Sequence, residues 1–273
     1  MKFALKDYPA MAFRTWCFLF GIVSLGFYLF RHRMSIRIPK AEMKKVLQLS
    51  ALNMTLWQVG LMYGVLLLNS GRAAIIGYTM PVWALLTSVI IFGAKLTWRG
   101  TVGVALALSA TILLGADEFS SFSAAPIGVL AMLGAAMCWG AGTAMTRHTK
   151  LTISPEVLAF WSMVFALPVF IGLSFFNEYD RLRLPHGMEW LAIIYAGVVT
   201  FAFCYVAWFR VVQKLPPVVS SLSIMLVPVI GVVSGSVFLE EALTYYDYAA
   251  LVLILLAMAT VLKPKTKRLI SAA

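Results

Sequence analysis

PVWALLTSVIIFGAKLT (residues 81–97) and PVIGVVSGSVFLEEALT (residues 228–244) align without a gap when the sequence is shifted along itself by 147 positions. Both stretches begin with a Pro-Val pair and end with a Leu-Thr pair. The same shift places Val59 on Val206, so the register also holds outside the two stretches. A constant register of this kind is the signature of an internal repeat.

The composition of the chain is typical of a membrane protein. Of its 273 residues, 62% are hydrophobic and only 12% are charged. Apolar runs of about 20 residues, the length that crosses a hydrocarbon core roughly 30 Å thick, recur from end to end. We therefore predict an all-α, polytopic membrane protein. Its nine predicted transmembrane helices lie at roughly 8–30, 46–68, 72–92, 99–115, 126–146, 155–175, 189–210, 217–238 and 245–262.

The repeat predicts more helices than the chain contains. Under the shift, the partner of the span at 126–146 would lie before Met1, so the first copy has four spans and the second has five. We expect an ancestor with two five-helix units, of which this chain lacks the first helix. Units with an odd number of spans enter the membrane in opposite senses, which makes an inverted-topology repeat. The predicted organisation is a first repeat at 1–115, an outer linker at 116–125, a second repeat at 126–262 and a basic tail at 263–273.

The basic residues predict the orientation of the chain. The net charge of +11 resides mainly in the loops between apolar runs, so we assign it to membrane orientation and expect no nucleic-acid partner. Sixteen of the 22 Lys and Arg residues fall in the loops after the first, third, fifth and seventh spans and in the tail. The positive-inside rule then places the C-terminus in the cytoplasm and the protein in the cell inner membrane. Nine crossings place the N-terminus outside, and a restored first helix would bring it to the cytoplasm.

Four stretches carry a resemblance to a known family: CWGAGTAMTRH (138–148), SPEVLAFW (154–161), YAGVVTFAFCYVAW (195–208) and PVVSSLSIMLVPVIGVVSGSVFLEEALT (217–244). In these stretches the chain resembles EamA-type members of the drug/metabolite transporter superfamily, which have two five-helix repeats. The resemblance implies a secondary transporter, with export of an amino acid, a similar metabolite or a drug-like compound favoured over uptake. The sequence departs from the family pattern in two ways. The first helix is absent, and Ala94 stands where the repeat would place a counterpart of Glu241.

Two prolines occupy equivalent positions inside apolar runs. Pro81 and Pro228 each remove a backbone donor, so we predict a kinked helix and a freed carbonyl one turn earlier, near Gly77 and Ile224. Lipid does not satisfy such a carbonyl, whereas a nearby hydroxyl can. The two kinked helices then line a central cavity by one interpretation and are packing kinks by the other. The hydroxyls placed to help belong to Thr79, Ser220, Ser221 and Ser223.

Arg14 is the one basic residue well inside a predicted span. A charge at this depth indicates a functional site, and the resemblance supports this because the family pattern also has a basic residue here. The alternative is that the side chain extends to the outer interface. No Asp or Glu lies near the centre of a span, so the sequence leaves coupling to protons or to sodium open.

Aromatic residues appear at unusual depths. Trp57, Trp83 and Trp139 fall near span centres, whereas Trp and Tyr normally lie at membrane interfaces. Together with Gln58, Tyr63 and other aromatic residues they suit a lining for a moderately apolar solute, although packing between helices accounts equally well for any one of them. The predicted substrate-binding residues are Arg14, Trp57, Gln58, Tyr78, Trp139, Tyr205 and Trp208.

Small residues predict where helices approach closely. By helical spacing, Asn53, Trp57, Gly60 and Gly64 share one face, which we expect to point inward. The pair Gly60-x-x-x-Gly64 and its analogue at 231–235 allow close contact either within the chain or across a homodimer.

Signatures of catalysis are missing from the sequence, which has no P-loop and no HExxH motif. Its three histidines lie scattered in loops, and its three cysteines fall in apolar runs, so we expect neither a metal nor a cofactor. We predict a secondary transporter that moves a small organic solute by alternating access. The alternative function is a truncated or partner-dependent membrane subunit without transport activity of its own.

Overall fold

The computed structural model describes residues 8–120, 125–214, 230, 232–237 and 243–262. These residues form helices and loops, with no strand among them. The helices, in chain order, are α1 (Ala10–Arg31); α2, which comprises Met43–Ser50, Ala51–Leu56 and Trp57–Leu67; α3, with the segments Ser70–Gly77 and Met80–Phe92; α4 (Trp98–Ser120); α5 (Ala125–His148); α6 (Pro155–Glu178); α7, which comprises Met188–Tyr195, Ala196–Cys204 and Tyr205–Lys214; and α8 (Tyr245–Leu262).

The helices confirm the predicted fold class. Each of α1–α8 coincides with one predicted span. The remaining predicted span, 217–238, lies mostly outside the described residues, but its residues 232–237 are described and are helical. By length and apolarity, five helical stretches of the described chain are sufficient to cross a membrane. They are Ala10–Arg31, Ser70–Phe92, Pro126–His148, Pro155–Arg181 and Met188–Val211. The chain is an all-α, polytopic membrane protein.

Large apolar side chains cover the outside of the helices. Phe27 of α1, Ile90 of α3, Phe176 of α6 and Phe203 of α7 are all more than half exposed. Extensive apolar exposure marks a surface that contacts a membrane or another protein. On helices long enough to cross a membrane, this exposed apolar surface is the one that lipid tails cover.

Helices related by the 147-residue shift lie against each other. The shift relates α1 to α6, and these helices pack together, with the rings of Phe18 and Phe170 in edge-to-face contact at 5.2 Å. It also relates α4 to α8, which pack along their length. Contact between equivalent elements is what a two-fold relation produces. Because the members of each pair are five crossings apart, they run in opposite directions, as an inverted repeat requires.

A wide helical turn occurs at the same place in both repeats. Residues Ala51–Leu56 of α2 and Ala196–Cys204 of α7 are π-helical. Shifted by 147 positions, 51–56 becomes 198–203, which lies inside the second segment. In α7, the amide of Tyr205 donates to the carbonyl of Thr200, five residues earlier. Such turns are uncommon and occur frequently at functional sites.

Pro81 differs from its prediction in one respect. The first segment of α3 ends at Gly77 and the second begins at Met80, so the helix is interrupted rather than bent. Pro81 then lies in the first turn of the new segment, where its missing N–H removes no helical bond. The hydroxyl of Thr79 donates to the carbonyl of Ile76 at 2.8 Å, not to that of Gly77. Pro228 lies outside the described residues.

The predicted inward face of α2 packs on α5. A Cβ atom at Gly60 would lie 2.6 Å from the carbonyl oxygen of Ala131, and one at Gly64 would lie 2.8 Å from the sulfur of Met132. Only glycine permits this approach, so this pair of small residues serves packing within the chain. Residue 231 of the analogous pair lies outside the described residues.

Loops assigned to one side of the membrane from their charges meet in the structure. On the predicted cytoplasmic side, the Glu42 carboxylate accepts a hydrogen bond from the amide of Thr152 at 3.0 Å. On the other side, the Glu178 carboxylate accepts bonds from the amides of Met11 and Ala12, both 2.9 Å, at the start of α1. A carboxylate at this position satisfies free N–H groups and favours the helix dipole.

Candidate functional site

The indole of Trp139 on α5 is the centre of an aromatic cluster. Its ring centroid lies 5.2 Å from that of Trp57, 5.5 Å from that of Tyr205 and 6.0 Å from that of Trp208. The cluster, defined as Trp57, Trp139, Tyr205 and Trp208, joins α2, α5 and α7. Four of the seven predicted substrate-binding residues therefore lie together.

A hydrogen bond at the cluster joins the two repeats. The side-chain amide of Gln58 donates to the hydroxyl of Tyr205 at 2.7 Å, and the two residues are 147 positions apart. They are therefore equivalent under the repeat, and their contact places them on the pseudo-two-fold axis between α2 and α7. Both side chains are buried. This bond adds Gln58, a fifth predicted residue, to the site.

The guanidinium of Arg14 is buried beside the cluster. Only 2% of the residue is exposed, and its guanidinium carbon lies 5.1 Å from the centroid of the Phe201 ring. Phe201 in turn stacks on Tyr205 at 5.4 Å. A cation over an aromatic face is stabilised by the electrostatic field of the ring. The side chain is therefore held inside the protein and does not extend to the interface.

Tyr78, Trp83 and Tyr63 are the remaining aromatic residues singled out from the sequence. Tyr78 is half-buried in the interruption of α3, and among the described residues its ring stacks on none of the cluster members. The indole of Trp83 donates to the hydroxyl of Thr79 at 3.1 Å. The hydroxyl of Tyr63 accepts a bond from the side-chain amide of Asn177 at 3.2 Å, near the end of α6.

A buried ion pair that sequence reasoning missed connects the two repeats at another place. Arg72 Nε of α3 lies 2.8 Å from Asp247 Oδ1 of α8, and both residues are buried. The second carboxylate oxygen of Asp247 accepts bonds from the amide and the hydroxyl of Thr244, at 2.7 and 2.9 Å. Thr244 and Asp247 thus form a capping box at the start of α8. Its Thr-x-x-Asp spacing is readable from the sequence, but the arginine is 175 positions away.

A second ion pair was also missed. Arg210 near the end of α7 bonds to Glu156 in the first turn of α6. Glu156 is buried, whereas the arginine side chain is about half exposed. The hydroxyl of Ser154 caps the same end of α6 by accepting from the amide of Val157. This pair lies on the predicted cytoplasmic side.

The chemistry of the site is that of binding. It offers aromatic faces, a buried positive charge and a few polar side chains, as small-molecule sites do. Within the described ranges, no three His, Cys, Asp or Glu residues are grouped to hold a metal ion.

The comparison with protein families decides the membership of the chain. A model described as the EamA-like transporter family matches residues 1–116 and 126–263. The chain belongs to the EamA-like transporter family. The two matches are two EamA repeats, which together cover almost all of the chain.

Relatives of this EamA-like chain carry names of transporters. It is 25% identical to "Uncharacterized transporter YoaV" of Bacillus subtilis, over 89% of this chain and 84% of that protein. It is 24% identical to "Probable terminal-alkyne amino-acid exporter" of Streptantibioticus cattleyicolor, over 76% of this chain and 69% of that protein. It is also 24% identical to "Probable amino-acid metabolite efflux pump" of Escherichia coli, over 68% of this chain and 65% of that protein.

A protein of known crystal structure has the same fold. The superposition gives a TM-score of 0.69 and covers 95% of this chain and 89% of the other, at 19% sequence identity. The EamA-like chain therefore has the fold of an experimentally determined structure.

Proposed function

We propose that this member of the EamA-like family is a secondary transporter that exports small organic solutes across the cytoplasmic membrane by alternating access. The observation that carries the proposal is the Gln58–Tyr205 bond, which lies on the axis between the repeats and inside an aromatic cluster. Transporters with inverted repeats bind their substrates near the membrane midplane at the interface between repeats. The substrate-binding residues are then Arg14, Trp57, Gln58, Tyr78, Trp139, Tyr205 and Trp208.

The two repeats, 1–115 and 126–262, are the bodies that rock against each other in this proposal. Residues on the axis keep their place while the access pathway moves from one side of the membrane to the other. The wide turns at 51–56 and 196–204 lie next to Gln58 and Tyr205, so each repeat has a place where its helix can adjust. The interruption at Tyr78 and Thr79 supplies another in α3.

The site and the relatives support a proposed substrate class. Two relatives are named for the export of amino acids or amino-acid metabolites. The buried guanidinium of Arg14 gives the site a positive charge, which favours a carboxylate on the solute. The rings of Trp57, Trp139 and Trp208 suit an apolar or aromatic body.

A resistance screen tests the proposal. The chain is expressed in bacteria that are challenged with a panel of toxic amino-acid analogues and drug-like compounds, and growth is compared with cells that carry the empty vector. Resistance to members of one chemical class, together with their lower accumulation in the cells, is expected. Normal insertion of the protein without resistance to any compound would instead favour a membrane subunit that does not transport.

The proposed orientation predicts which side of the membrane each loop faces. In a variant whose three native cysteines are alanine, Asp180→Cys is expected to react with a membrane-impermeant thiol reagent in intact cells, because 180 lies in an outer loop. Ser35→Cys is expected to react only after the cells are opened, because its loop faces the cytoplasm. Both positions are exposed in the structure, so a difference in labelling reports sidedness. The opposite pattern would reverse the orientation and place the C-terminus outside.

A further inference from the structure

Asn53 on α2 is fully buried against α5. Its side-chain amide nitrogen lies 3.3 Å from the hydroxyl oxygen of Thr146. That hydroxyl already donates its proton to the carbonyl of Gly142 at 2.8 Å, so it can only accept from Asn53. The network therefore fixes the orientation of the amide, which is otherwise ambiguous in asparagine. The oxygen Oδ1 points away from Thr146.

The Asn53 Oδ1 atom has no hydrogen-bond partner among the described residues, and neither has the hydroxyl of Thr143. The absence of a side chain at Gly142 makes room for the Asn53 amide, since a Cβ there would lie 2.4 Å from Oδ1. Thr143 is next to this glycine on α5. A buried acceptor without a donor is costly, so the great majority of such atoms in proteins have a partner. Two such atoms, one packed on Gly142 and the other on the next residue of α5, can each accept a hydrogen bond from a donor outside the chain.

A second buried amide follows the wide turn of α2. In an α-helix, residues five apart lie about 140° from each other around the axis. In a π-helical turn the repeat is wider and residue i+5 comes close to residue i. Asn53 lies in such a turn, and Gln58 follows it five residues later on α2. Gln58 is also buried, and its Oε1 atom likewise lacks a partner in the described part of the chain.

This polar position and Arg14 lie on opposite sides of the axis bond. Phe201, whose ring contacts the Arg14 guanidinium, precedes Tyr205 on α7. Asn53 precedes Gln58 on α2. Because α2 and α7 are five crossings apart, they run in opposite directions, so the two residues lie towards opposite faces of the membrane. Asn53 is also close to the Trp57–Trp139 pair, because Trp57 is one turn from Asn53 on the same face of α2.

We propose that Asn53 Oδ1, assisted by the Thr143 hydroxyl, binds the protonated amine of the transported solute. The inference rests on the proposed function and specifies one end of its substrate. An ammonium group has three donors and no acceptor, so it matches oxygen atoms that lack donors. The neighbouring indole rings favour a cation, and the placement of Arg14 beyond the Gln58–Tyr205 bond separates the two positive charges. A solute with a carboxylate at the Arg14 end and an amine at the Asn53 end fits both.

The test compares three probes that share one aromatic ring: 3-[4-(2-aminoethyl)phenyl]propionate, which carries an amine and a carboxylate at opposite ends, 2-phenylethylamine and 3-phenylpropionate. Their affinities for the purified full-length protein in lipid nanodiscs are measured by titration calorimetry. In Asn53→Leu, the affinities for the two amines are expected to fall about tenfold or more, whereas that for 3-phenylpropionate stays within about twofold. Asn53→Asp retains an acceptor and adds a charge, so it is expected to bind the amines at least as tightly as the unmodified protein.

Thr143→Val removes the second oxygen without changing the side-chain shape and is expected to weaken the amines selectively. It also serves if Asn53→Leu does not fold. Thr111→Val is the matched control, because the Thr111 hydroxyl bonds only within its own helix, to Ala107, and is expected to change nothing. Equal affinity changes for all three probes, or none, would overturn the proposal and indicate a buried water at Asn53. If the unmodified protein bound none of the probes, the proposed substrate class would fail together with this inference.

Discussion

Replacing Arg14 with methionine is expected to lower solute export by about a hundredfold while the protein remains folded in the membrane. Methionine keeps most of the apolar contact with Phe201 but removes the positive charge beside Tyr205. Truncating one partner of a buried, charged hydrogen-bonded pair costs about 2–5 kcal/mol of binding free energy. A tenfold change corresponds to about 1.4 kcal/mol, so a hundredfold loss falls within this range.

Export is measured as efflux of the compound that the resistance screen identifies, from cells with equal amounts of inserted protein. The control is Arg181→Met, which removes an exposed arginine from the loop after α6 and is expected to leave export unchanged. A monodisperse elution profile in detergent verifies that the Arg14 variant is folded. Export at the level of the unmodified protein would show that Arg14 has only a structural role.

Removing the Asp247 side chain is expected to destabilise the protein by about 3–5 kcal/mol, the typical cost of breaking a buried ion pair by removing one partner. In Asp247→Ala, the buried Arg72 guanidinium loses the Asp247 carboxylate, and the amide of Thr244 at the start of α8 loses the oxygen that accepts its hydrogen bond. A loss of this size is expected to lower the midpoint of thermal unfolding by about 5 °C or more.

The double variant Arg72→Met, Asp247→Leu distinguishes the cost of removing only the Asp247 carboxylate from the net value of the pair. Because replacing both partners of a buried pair by apolar residues is often neutral, it is expected to recover most of the lost stability. Glu189→Ala, which breaks the more exposed pair with Arg183, is the control and is expected to cost less, about 1 kcal/mol. Equal midpoints of thermal unfolding for Asp247→Ala and Glu189→Ala would show that the buried pair contributes no more to stability than the more exposed pair.

The sequence was sufficient to predict the fold class and the eight described helices, because lipid restricts a chain of this composition to helices of a fixed length. It also predicted which face of α2 points inward, since the small residues Gly60 and Gly64 lie on one side of the helix and both pack on α5. The inverted repeat was visible because its register is unbroken.

The interruption of α3 at Pro81, in place of the predicted kink, could not be predicted from the local sequence. A proline excludes the preceding helical bond, but neighbouring helices decide whether the helix bends or stops. At this place α5 comes so close that a Cβ at Gly140 would lie 2.6 Å from the carbonyl oxygen of Met80. The helix restarts at Met80, where it packs against α5.

The site was predictable in part. Trp57 and Trp139 were visible because tryptophan is unusual at the centre of a span, and they do contact each other. Phe201 was missed because a phenylalanine in an apolar run carries no signal, although it is the ring beneath Arg14. The Arg72–Asp247 pair was missed because its members belong to different repeats and only the folded chain brings them together.

The contact between Gln58 and Tyr205 has a consequence for how such a protein can evolve. If two identical chains made this contact across a two-fold axis, each position would face its own copy. A single mutation would then change both sides of the bond at once. Joining the copies in one gene removes that constraint, so one side can become an amide and the other a phenol. Duplication thus lets a symmetric scaffold acquire an asymmetric centre, as recognition of a solute with two different ends requires.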